Sequence, residues 1–110
     1  MSDWSRGKGE AYYAVIFTSR RTGGDNGYGR MADEMVKLAS EQPGFLGIDS
    51  VRNAEGFGIT VSYWESLEAI SNWKRNETHL LAQERGKTEW YEHYDVKICK
   101  VEREYSSERS

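Results

Sequence analysis

The chain alternates between short runs of β-branched and aromatic residues and longer stretches in which apolar positions recur every three or four residues. AYYAVIFTS, residues 11–19, puts Tyr13, Val15 and Phe17 on one side of an extended segment and Tyr12, Ala14 and Ile16 on the other. Both sides are apolar, so the run predicts a central strand. RRTGGDNGYGR, residues 20–30, is rich in glycine, lacks an apolar period and predicts a loop. Met31, Met35, Leu38 and Ala39 then recur at helical spacing until Gln42-Pro43-Gly44 stops the pattern.

FLGIDSVRN (45–53) and FGITVSYW (57–64) read as two strands joined by Ala54-Glu55-Gly56, with glycine where a left-handed conformation is commonly needed; they predict an antiparallel hairpin. Ser66 is a natural N-cap for a helix carrying Leu67, Ile70 and Trp73. Asn76 reads as a second N-cap, with Glu77 in the first turn behind it and Gly86 at the end, so the pattern predicts two short helices meeting near Asn76. In YEHYDVKICKVERE (91–104), Tyr94, Val96 and Ile98 share one side and Val101 falls on the other, which predicts a bulge near Cys99 or Lys100. The resulting order is βαββαβ with a split second helix. This predicts an α+β, ferredoxin-like domain whose antiparallel four-stranded sheet carries its helices on one face. The domain occupies 10–104, between a disordered segment at 1–9 and a polar tail at 105–110. Apolar residues on both sides of the first and third strands require cover for the second sheet face, and a homodimer packed sheet to sheet supplies it.

At 110 residues the chain builds one modest core. Fifteen basic and eighteen acidic residues, interspersed, leave a net charge of −3 and no electrostatic footprint for nucleic acid. No apolar run approaches the length of a membrane span and the N-terminus lacks a signal-peptide core, so a soluble cytoplasmic protein is expected, with no nucleic acid or membrane partner. Cys99 is the single cysteine, in a strand, and reads as a packed thiol. GYGRMA, 27–32, matches a dinucleotide-binding fingerprint, but the loop before it is long and the strands after it form a hairpin, so the parallel unit that the fingerprint needs is missing.

YWESLEAISNWKRNETH, residues 63–79, concentrates aromatic residues and one of the two histidines. Tyr63 and Trp64 end the third strand, while Trp73 and His79 follow on helix, so all four can converge between helices and sheet. Large aromatics at such spacing are also what an ordinary core requires. Three pieces, PGFLGIDSVR, then YWESLEAISNWKRNETHLLAQERGKTEWY, then KVERE, resemble the antibiotic biosynthesis monooxygenase domain family over residues 11–103. The most specific is W-E-S-x-E-A-x-x-x-W with a downstream E-x-H and A-Q. The resemblance implies a ferredoxin-like subunit that dimerises into an α+β barrel. It also implies, for some members, oxygenation of small electron-rich aromatic, polyketide or quinol-like substrates by molecular oxygen with no cofactor, metal or flavin.

On that reading Trp73 and His79 are the candidate catalytic residues, with His79 as the base because an imidazole takes up protons near neutrality. Tyr13, Phe57, Tyr63 and Trp64 are the candidate substrate-binding residues, and the ligand is a small hydrophobic or aromatic molecule. Two other readings stand beside it. One is a non-catalytic dimer that binds such a molecule or serves as a structural module. The other is haem degradation, for which Trp73 matches, but the related subfamily's histidine falls on Gln83 and its first-strand asparagine has no counterpart in AYYAVIFTS.

Overall fold

The computed structural model describes residues 11–23, 28–84 and 91–107, without the side chains of residues 28 and 78–84. Its order is β1 (Tyr12–Arg21), α1 (Tyr28–Ser40), β2 (Phe45–Arg52), β3 (Phe57–Trp64), α2 (Leu67–Glu84) and β4 (Tyr91–Val101). The strands form one antiparallel sheet in the order β2-β3-β1-β4, with β1 and β3 interior. This is the ferredoxin-like βαββαβ arrangement read from the sequence, with β1 central as its two apolar sides require.

Register settles which residues share a face. Tyr13 pairs with Trp64, Val15 with Ser62 and Ile98, and Phe17 with Thr60 and Val96; these residues lie on the helix side. Ala14 pairs with Tyr63 and Cys99, and Ile16 with Val61 and Lys97, on the side without helices. The core on the helix side joins Ala39 from α1, Trp64 from β3 and Ala69, Ile70 and Trp73 from α2, with Tyr13, Val15, Met35, Leu38 and Phe45 packed around them.

The local devices follow from single residues. Asn53 accepts from the backbone N–H groups of Glu55 (2.9 Å) and Phe57 (3.0 Å) and so closes the β2–β3 hairpin, with Gly56 at φ +96°. Ser66 caps α2, its Oγ accepting from the Ala69 N–H at 3.0 Å. Gln42-Pro43-Gly44 ends α1, and Gly44, at φ +85°, turns the chain into β2 against the first turn of α2.

Two expectations are corrected. The second helix is not split: α2 runs unbroken from Leu67 to Glu84. Asn76 does not cap a new helix, because its carboxamide donates back to the Asn72 carbonyl (3.0 Å) and across to Gln42 Oε1 (3.1 Å), tying mid-helix α2 to the end of α1. No proline or glycine interrupts the segment. The bulge in β4 is also not at Cys99 or Lys100, which pair regularly with Ala14 and Tyr13; Val101 continues the register opposite Tyr12, on the same side as Cys99. The irregularity is at the other end, where Arg20 pairs with His93 and Arg21 with Tyr91, leaving Glu92 as the extra residue. A second shift, between Phe45 and Gly47, puts Phe45 against Trp64.

Gly44 and Gly56 both have positive φ, yet they should differ on substitution. A Cβ at Gly44 would lie 2.6 Å from the Ala69 Cβ, whereas one at Gly56 meets nothing closer than 3.5 Å. Gly56→Ala should cost about 1–2 kcal/mol from backbone strain alone, and Gly44→Ala about 3 kcal/mol or more because the overlap adds to it. Urea unfolding at a fixed protein concentration measures both, and equal losses would show that the α1–β2 turn can move away from α2.

Candidate functional site

Between the two helices and the sheet lies a cavity of about 600 Å³, within the range that encloses a small organic molecule. Its floor is the helix side of the sheet: Val15 and Phe17 of β1, Thr60 and Ser62 of β3, Ile48 and Ser50 of β2, and Val96 and Ile98 of β4. Met31, Met35 and Ala39 of α1 form one wall, and Ile70 and Trp73 of α2 the other. The wall residues are spaced by four in α1 and by three in α2, the steps that keep side chains on one face of a helix.

Trp64 and Trp73 define one end. Trp64 is fully buried, its ring stacked on Trp73 (centroids 6.0 Å apart, planes 19° from parallel) and met edge-on by Phe45 at 5.4 Å. Its indole N–H donates to Ser62 Oγ at 2.9 Å. Trp73 is also buried and lines the cavity, so it is core on the side facing Trp64 and wall on the other. Towards the far end, Phe17 meets Tyr91 edge-on (5.3 Å) and stacks on Tyr94 (5.6 Å). Tyr91 and Tyr94 are three apart and would fall on opposite sides of a regular strand; the extra residue at Glu92 brings both against Phe17.

The polar groups of the cavity are sparse. Ser50 and Thr60 hydroxyls bond each other at 2.8 Å on the β2–β3 half of the floor. Lys74, Arg75 and Glu77 line it from α2, with Lys74 Nζ 3.7 Å from a Glu77 carboxylate oxygen. Among the described lining residues Glu77 is the single carboxylate, and none is a histidine.

The sequence-derived candidates separate. Trp73 lines the cavity, Trp64 forms the packed end behind it, and Tyr13 packs against the same cluster. Tyr63 does not join them: alternation turns it to the side without helices, where it meets Tyr12 edge-on at 6.2 Å. Phe57 is at the opposite end of β3 from Trp64, half-exposed beneath the Arg20 guanidinium at 4.5 Å. His79 belongs to α2 six residues beyond Trp73, and its side chain lies outside the described residues. The other histidine, His93, is exposed and bonded to Asp95 at 2.9 Å, away from the cavity.

Reading by proximity to the tryptophans missed Phe17, Met31, Met35, Ser62 and Tyr91. The β1 alternation and the α1 stripe already pointed Phe17, Met31 and Met35 inward. Tyr91 depended on a bulge that no residue type announces.

The same architecture recurs in solved structures of low sequence identity. SnoaB, a cofactor-independent oxygenase from Streptomyces nogalater, superposes with a TM-score of 0.72 at 9% identity, over 87% of this chain and 98% of that one. MhuD, solved with two manganese protoporphyrin IX molecules bound per active site, superposes at 0.64 and 18% identity, over 86% and 99%. In sequence, the chain is 54% identical over 93 residues to the uncharacterised protein YqjZ of Bacillus subtilis strain 168, which covers 84% of this chain and 82% of that one. The family model for antibiotic biosynthesis monooxygenase matches residues 11–85, which hold β1 through α2 and therefore both helical walls and three of the four floor strands. With fold and sequence in agreement, the chain belongs to the antibiotic biosynthesis monooxygenase family.

Proposed function

We propose that the protein is a cofactor-independent monooxygenase that oxidises a small electron-rich aromatic, polyketide or quinol-like molecule held in the cavity beneath Trp73. The observation that carries the reading is the cavity itself: about 600 Å³, walled by aromatic, methionine and aliphatic side chains, in a chain of this family. An acidic ring CH₂ or phenol that loses a proton becomes electron-rich enough to reduce oxygen directly. In the CH₂ case the balance is R₂CH₂ + O₂ → R₂C=O + H₂O, with both oxygen atoms reduced by electrons from the substrate. The protein then has three tasks: to take the first proton, to hold the ring, and to keep water from the carbanion.

His79 is the proposed base and Trp73 the proposed aromatic wall. Phe17 and Tyr91 add ring surface at the far end. The second reading, a dimer that binds such a molecule without turning it over, is favoured by the lining itself, where Glu77 is the single carboxylate and no histidine stands among the described residues. Oxygen uptake with an electron-rich phenol or quinol separates the two. His79→Ala should abolish uptake while leaving the unfolding midpoint nearly unchanged, whereas Trp64→Ala, a large-to-small change in the core, should lower stability by about 3–5 kcal/mol. If His79→Ala destabilises as much as Trp64→Ala, the histidine is structural. If Glu77→Gln alone abolishes uptake, the carboxylate is the base.

A homodimer is proposed because the sheet is apolar where no helix covers it. On the side without helices, Val51 is 71% exposed and Ile59 46%, beside Ile16 and Val61. On the helix side of β4, Val96 and Ile98 also stand partly exposed. Obligate interfaces commonly bury roughly 2,000 Å² or more. Sedimentation at micromolar concentration should give twice the 12.7 kDa chain mass, and a species at the chain mass itself would refute the dimer.

Haem degradation is not proposed. Position 83 is glutamine, which does not replace imidazole as an axial ligand, and β1 holds no asparagine. Titration with haemin should give no sharp Soret shift dependent on a histidine; a shift that His79→Ala removes would show ligation by His79.

A further inference from the structure

We infer that Ser62 is a fixed hydrogen-bond donor that selects ligands carrying an acceptor oxygen and sets which edge of their ring faces β3. The inference rests on the cavity being a ligand site, as proposed above, and adds a residue and a rule of recognition to it.

An indole N–H can only donate, so in the 2.9 Å contact with Trp64 the Ser62 oxygen must be the acceptor. The hydroxyl's one hydrogen is therefore not used in that bond, and among the described residues it meets no acceptor. Trp64 is held by its stack on Trp73 and by Phe45, so the bond also fixes the serine rotamer. Ser62 is 7% exposed and forms part of the cavity floor. A hydroxyl hydrogen without a partner in such a place is unfavourable, and a ligand oxygen above the floor would supply the missing acceptor.

The neighbouring hydroxyls point to the same edge. Ser50 and Thr60 share one bond at 2.8 Å, which uses one of their two hydrogens and leaves the other available. Ser62, Thr60 and Ser50 all lie on β2 and β3, while the floor on β1 and β4 is Val15, Phe17, Val96 and Ile98. The floor hydroxyls are thus gathered on the β2–β3 half, beside Ile48, and these four β1 and β4 floor residues carry none. A flat ring system bearing a carbonyl or phenolate oxygen on one edge fits with that edge over β3 and its hydrocarbon edge over β1 and β4. An oxygen-free hydrocarbon of the same outline would leave the Ser62 hydrogen unmatched.

The test compares α-tetralone with tetralin, two ligands of one skeleton that differ in a single carbonyl, by isothermal titration of the full chain. Wild type should prefer the ketone, and Ser62→Ala should reduce that preference roughly three- to tenfold, as loss of one neutral hydrogen bond does. Ser62→Thr, which keeps a hydroxyl, should retain the preference even if its methyl group weakens both ligands. The infrared carbonyl band of bound α-tetralone should rise in frequency from wild type to Ser62→Ala, a change that general loss of packing would not produce. Should Ser62→Ala not fold, Trp64→Phe keeps the serine and frees its rotamer, and the preference should fall there. A preference unchanged in these variants overturns the role of Ser62 and leaves the cavity reading intact. Binding of neither ligand by wild type overturns both.

Discussion

The stack of Trp64 on Trp73 sets the distance between the helix layer and the sheet. Trp64 is fully buried, and both rings stand between β3 and α2, so at that end the layers can approach no closer than two indoles allow. Protein interiors ordinarily fill to the density of an organic crystal, and a gap opened at one place is closed by side chains elsewhere. Here the β3 floor residue next to the stack is Ser62, followed along the sheet by Thr60 and Ser50, all with short side chains. The cavity is what remains when two large rings prop the layers apart and small hydroxyl residues stand beside them.

The other contacts keep that separation fixed. Gly44 lies so close to Ala69 that one added carbon would overlap it, which holds the start of α2 against the α1–β2 turn. Asn76 spans from α2 to Gln42 at the end of α1, so the helices are tied to each other near the stack. The open part of the layer is farther along, towards Phe17 and Tyr91, where β4 is least covered.

Much of this was legible in the chain because the signals were local. The alternation in AYYAVIFTS, the Ala54-Glu55-Gly56 link and the Ser66 cap each name a backbone conformation that the structure adopts. The errors arose where one residue type serves two purposes. Asn76 has the chemistry of an N-cap, but in a continuous helix its carboxamide bonds the preceding turn, and Glu77, read as a first-turn acid, becomes part of the cavity wall. Tyr63 and Trp64 are adjacent in sequence and look like one feature, yet a strand sends neighbours to opposite faces. The bulge at Glu92 left no mark in composition, so the tyrosine pair against Phe17 was hidden as well.

The two long walls differ in stiffness as well as position. Trp73 is clamped by its neighbour and has little freedom to turn. Met31 and Met35 across the cavity are unbranched thioethers with three rotatable bonds, able to refill irregular space at small energetic penalty. A pocket with one rigid side and one compliant side reads the thickness and edge of a ring strictly and its outline loosely. Rotamer changes at Met31 and Met35 alone can therefore alter the outline of the cavity on the α1 side, with the backbone at rest and the Trp73 side unchanged.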